Sequence, residues 1–321
     1  MFLRHRPCAA DRARSGGRTP LYDQVAQNKR RSLIISVLFV VVTAVVVGAL
    51  LALFNVGAIG LLVGVTVGAL ALFVAYAKAG AVVLRISRAV PADPDSYARF
   101  HNLVQGLCVA GGLPKPRLYV IDDVAPNAFA AGRGPKHALV GVTTGLLENL
   151  DRVELEAVLA HQLSRIKNAD ILPATLAVTT VGLVTVVADA FVRLKWWNGG
   201  RLGRDDREVG AAPYLGFIGV GLLALSPLLT KALHFGLGPD RSSLCDISAV
   251  EMTRFPPGLI SALEKLALED TVVHAGTRAT AHLWLTTPIA RLESEGLLAN
   301  RNRLFDSHPP IQERIATLRE R

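Results

Sequence analysis

The stretch Leu33–Phe54 (LIISVLFVVVTAVVVGALLALF) carries no charged residue over the ~20-residue length that crosses a bilayer as a helix. Gly57–Tyr76 repeats the property, and Lys78 follows it, able to extend toward an interface. Only Asn55 and Val56 lie between the two runs, so they are expected to form a membrane hairpin. A soluble core hairpin would seldom need two uncharged runs of this length. Residues 1–32 are basic, with Arg4, Arg6, Arg12, Arg14, Arg18, Lys29, Arg30 and Arg31. That bias puts the N-terminus in the cytoplasm, and the second helix returns the chain there.

Two further apolar runs follow. Ile171–Val192 and Pro213–Leu233 are weaker, carrying Asp189 and Pro227 respectively, and both are expected to be membrane helices. About four spans result, with loop 193–212 on the outer side. That loop holds Arg193, Lys195, Arg201, Arg204 and Arg207, which the positive-inside rule would keep in the cytoplasm. A shallow or re-entrant pair is the alternative. Composition agrees with a membrane setting: hydrophobic residues are 51% and mean hydropathy is +0.37. The net charge of +9 sits beside apolar runs, which favours anionic lipid headgroups as its partner over nucleic acid. Cys8, Cys108 and Cys245 are too widely spaced for a disulfide framework or a thiolate cluster.

The remaining chain has the mixed, periodic character of a water-facing domain in two halves, 83–170 and 234–321, separated by 171–233. A helix is expected from Asp93 through Phe100, Leu103, Val104 and Leu107, ending at Gly111-Gly112. Arg117–Ile121 and Ala138–Thr143 read as short strands, with PNAFAAGRGPKH between them as a loop or edge segment. Amphipathic helices are expected at Gly258–Leu268 and Pro309–Glu320.

A helix beginning near Asp151 carries AHQLSRIKNAD, with His161 and Arg165 one turn apart on one face. With Glu at 162 and His at 165 it would be HELSH, an H-E-x-x-H zinc-peptidase motif. Neither residue is present. Glutamine cannot take a proton from water near neutral pH, and a guanidinium has no lone pair to offer a metal.

Several segments, in order, resemble the HtpX-like membrane zinc metallopeptidases, relatives of the CAAX prenyl proteases. They are YDQVAQNKRR, PNAFAAGRGPKHALVGVTTGLLENLD, ELEAVLAHQLSRIKNADIL, CDISAVEMTRFPPGLISALEKLA, HLWLTTPI and SHPPIQERIATL. The resemblance implies a mainly α domain with a small β-sheet (α+β, gluzincin-like) beside the membrane helices, in a bacterial-type inner membrane with its peptidase-like domain cytoplasmic. It implies a zinc site of two His and a Glu, a Glu base, and substrates among damaged membrane proteins. Carried onto this chain, His161 matches the first ligand, Gln162 the base, Arg165 the second ligand and Ser242 the third, four residues before Asp246. Asn127, Ala128, Phe129 and Ala130 match the edge along which a peptide would lie.

One ligand of three remains and the base is gone, so no cofactor is expected, where the family would hold zinc. Arg165 is expected to fill the vacated metal space and pair with Asp246. Three functions follow. The first is a pseudopeptidase that binds membrane-protein or peptide clients, an active relative or itself. The second is an active zinc endopeptidase of protein quality control with an altered ligand set. The third is a structural module whose cleft binds nothing.

Overall fold

The computed structural model describes residues 76–172, 240–269, 271, 273, 280–286 and 310–320, with the isolated helical positions 66, 70, 73, 174, 175 and 178. The tail 1–32, the first hairpin before 66 and most of the third and fourth apolar runs lie outside these residues, as does loop 193–212. Among the described residues no helix is long and apolar enough to cross a membrane. In the second apolar run positions 66, 70, 73 and 76 are helical, and Leu70 and Phe73 are exposed.

The sheet is built from β1 (Val90–Pro91), β2 (Arg117–Ile121), β3 (Ala128–Gly132) and β4 (Ala138–Thr143), in the order β1-β2-β4-β3. β2 and β4 are parallel, and β1 and β3 run antiparallel to their neighbours. The PNAFA segment is therefore a strand, and it holds the edge. Its composition disguised this: AFAAG lacks the β-branched alternation that marks a strand. Both faces of β3 are buried, so small residues fit where alternation would otherwise appear.

The helices are α1 (Ala98–Gly111), α2 (Thr144–Asn149), α3 (Arg152–Lys167), α4 (Asp240–Thr253), α5 (Pro256–Leu268) and α6 (Ile311–Arg319). α1 ends where expected, with Gly112 in the left-handed region at φ 64°. α3 is the axis of the domain. Its residues from Ala157 to Ile166 are all buried, which explains why its sequence has no polar face. One core gathers Phe100 and Leu107 of α1, Val158 and Leu163 of α3, Leu259 of α5, Ile315 of α6, and Ala128 and Val140 of the sheet. A second, on the other sheet face, gathers Ile121, Phe129, Leu139, Val83, Leu283 and Trp284.

Candidate functional site

α3 starts on a capping box. Asp151 accepts hydrogen bonds from the amides of Val153 (2.8 Å) and Glu154 (2.9 Å), and Glu154 accepts one from the Asp151 amide at 3.0 Å. Glu154 also accepts from Lys265 Nζ and Ser261 Oγ, each at 2.6 Å, which ties α3 to α5. Burial pushes its carboxyl up, but these donors prevail and hold it below its usual range. At the other end Asn168 donates to Ser248 Oγ at 3.2 Å, tying α3 to α4. These ties fix how the middle of α3 faces its neighbours.

His161 lies buried with Nδ1 2.7 Å from Asp246 Oδ1. Asp246, one turn after Ser242 on α4, also accepts two hydrogen bonds from Arg314 of α6. Arg314 Nε reaches Oδ2 at 2.8 Å and its terminal amine reaches Oδ1 at 2.7 Å. Burial raises the Asp246 carboxyl, yet Arg314 and His161 together hold it well below the usual carboxylate range. For His161, burial lowers the pKa; the guanidiniums of Arg314 and Arg165 add to this, and Asp246 opposes it without reversing it. Burial thus favours the neutral imidazole, with Nδ1 on the Asp246 side of the ring and Nε2 on the far side. Metal-binding histidines are commonly oriented in this way.

The neighbouring positions differ. Gln162, fully buried, donates from Nε2 to the Ala128 carbonyl of β3 at 3.3 Å. Arg165, also buried, donates from Nε to Asp170 Oδ2 at 3.2 Å and from its terminal nitrogen to the Leu283 carbonyl. The expected pairing of Arg165 with Asp246 is therefore corrected. Asp246 is already claimed by His161 and Arg314, and Asp170, just past the end of α3, lies nearer to Arg165. Sequence reasoning missed Arg314 and Asp170. The signal for Arg314 was its place between Ile311, Ile315 and Leu318 on the inward face of α6. Asp170 had none, because the turn after α3 places it.

Asn127 at the start of the edge accepts from the amides of Ala128, Leu285 and Thr286 at 2.9, 3.2 and 3.3 Å, and donates to the Thr286 carbonyl at 3.0 Å. The edge residues Asn127 to Ala130 thus lie against the chain's own segment 280–286, with Phe129 bridged to Trp284.

A family zinc site needs three protein donors. His161 offers one lone pair. Arg165 offers none and brings a positive charge. Ser242 is a neutral hydroxyl, half-buried on α4. Burial, with Asp170 beside it, pushes the Cys245 thiol far above its ordinary range, so no thiolate is at hand. Among the described residues no group of three His, Cys, Asp or Glu side chains converges. The donor set does not fit the metal.

A buried helix presenting a carboxylate-braced histidine beneath the edge strand of a small mixed sheet defines a metallopeptidase-like domain. Residues 94–321 match the family model for peptidase family M48. A protease HtpX homologue from Thermoanaerobacter pseudethanolicus is 35% identical over 302 residues, covering 94% of this chain and 98% of that relative. Another, from Ligilactobacillus salivarius, is 35% identical over 301 residues, covering 93% and 99%. The crystal structure of S. mikatae Ste24p aligns with 91% of this chain and 67% of its own, at 15% identity and a TM-score of 0.47. The chain belongs to peptidase family M48, among its HtpX-like members.

Proposed function

We propose that this chain is an integral-membrane, HtpX-like metallopeptidase homologue that does not hydrolyse peptides. Its cleft binds membrane-protein or peptide clients, an active relative or another copy of itself. The observation that carries the reading is Arg165. At the position of the second metal ligand stands a buried guanidinium, ion-paired with Asp170 and bonded to the Leu283 carbonyl. A fixed cation there repels a dication, and swinging it out would leave Asp170 and a carbonyl without that partner. Gln162 supports the same reading, since an amide anchored to the Ala128 carbonyl cannot serve as general base.

Metal content tests it. The protein is purified in detergent, dialysed against zinc, and its zinc per chain measured by mass spectrometry. A second sample carries Gln162→Glu, Arg165→His and Ser242→Glu. We expect no stoichiometric zinc in the unmodified chain and close to one per chain in the triple variant, where the Asp246 brace on His161 still stands. Stoichiometric zinc in the unmodified chain would mean an active zinc endopeptidase with an altered ligand set.

A further inference from the structure

Strand addition to an edge uses the main-chain groups that point away from the sheet. In β3 these belong to Ala128, Ala130 and Gly132, because the Asn127 carbonyl accepts from Thr143 of β4 and direction alternates along the strand. Three of these outward groups are already engaged. The Ala128 amide is bonded to Asn127 Oδ1 at 2.9 Å, and its carbonyl accepts from the Leu285 amide at 2.8 Å. The Gly132 amide donates to Thr175 Oγ1 at 2.9 Å.

The segment that takes the Ala128 carbonyl lies antiparallel to β3, with Trp284 opposite Phe129. It makes a single bridge to β3 and no ladder, and side chains from elsewhere supply the rest of its hold. Arg165 of α3 grips the Leu283 carbonyl. Arg314 of α6 grips the Leu285 carbonyl at 3.1 Å. Asn127 brackets Leu285 and Thr286. Each of these polar contacts reads backbone, as a groove for extended peptide does. Selection by side chain falls to the slot over Phe129, where the Trp284 ring sits fully buried at 5.1 Å between centroids.

We propose that residues 280–286 are a built-in peptide ligand that closes this groove. The residue at the former ligand position, Arg165, clamps the segment in place. An external ligand is an extended peptide with an aromatic residue between two aliphatic ones, and it enters only when the segment lifts off. The proposal rests on the reading that the cleft binds peptides, but not on the metal result, since binding is measured in chelator.

The probe is a fluorescein-labelled peptide TAHLWLTT, the sequence of residues 280–287, titrated into the full chain in detergent and followed by anisotropy. Leu285→Pro removes the amide that bonds Ala128 and detaches the segment. Trp284→Ala empties the slot over Phe129 and leaves the side chains of the groove in place. We expect the unmodified chain to bind the probe at least tenfold more weakly than either variant. In the unmodified chain, amide exchange at 128–132 and 283–286 should be slow. Equal binding by unmodified and variant chains overturns the proposal. So does absence of binding by a variant whose α3 amides stay protected. Should both variants fail to fold, rapid exchange of 283–286 in the unmodified chain, while α3 stays protected, overturns it alone.

Discussion

Asp246 is the shared partner of two buried cationic or polar side chains. Its carboxylate serves His161 and Arg314 at once, and all three groups are buried. Removing one member leaves a charge in a poor medium without compensation, so Arg314→Leu should cost about 3–5 kcal/mol of stability. Adding Asp246→Asn to Arg314→Leu should recover part of that loss, because the group left behind is neutral. Urea unfolding followed by tryptophan fluorescence measures both. A pH effect follows from the same cluster. His161 is lowered in the folded chain, so the unfolded chain takes up its proton first, near ~6.5. Stability is full above that value and falls as pH drops below it. Asp246, also lowered, adds a further loss that begins below ~4. The thermal midpoint should therefore fall more steeply between pH 7 and 5 in the unmodified protein than in His161→Gln. Equal slopes would show that His161 titrates normally. Motif spacing singled out positions 161, 162, 165, 242 and 246 in the sequence. It could not show who pairs with whom, since Arg165 and Asp170 meet through a turn, and Asp246 and Arg314 through the packing of two helices.

At the scale of elements, the β3–β4 pair illustrates how closely packing and site are coupled. A Cβ on Gly141 would sit 2.2 Å from the Phe129 ring, which in turn supports Trp284. Gly141→Ala should thus lose about 1–3 kcal/mol by overpacking and loosen the segment across the groove. Gly106, on the exposed side of α1, has nothing within 4 Å of such a Cβ. Gly106→Ala should gain roughly 0.5–1 kcal/mol through helix propensity alone. Urea midpoints of the two variants test the contrast, and a stabilised Gly141→Ala would refute the packing argument. Helix ends were legible because their chemistry is local: Asp151 with Glu154, and Gly112 after α1. β3 was read only as a loop or edge, because strand recognition leans on side-chain alternation that a strand buried on both faces does not need.

For the whole molecule, the apolar runs carry the expectation of a membrane anchor. The chain should stay in the pellet after alkaline carbonate extraction of membranes, and recovery in the supernatant would exclude spanning helices. A cysteine introduced at Gly200 should be labelled from outside sealed cells if the chain has four spans. Labelling only after lysis would favour the shallow pair that the basic residues of loop 193–212 suggest.

By itself the sequence determined the apolar runs, the order of family segments and the chemical identity of each side chain at the positions of the family's metal site. These depend on composition and spacing, which are properties of the chain before it folds. Tertiary structure alone decided that Asp246 joins His161 to Arg314, that Arg165 turns to Asp170 and the Leu283 carbonyl, and that residues 283–285 lie on the β3 edge. Each of these contacts joins groups brought together by helix packing or by a turn. Which of several possible partners a buried charge takes is set by distance and desolvation, and neither exists until the core has closed.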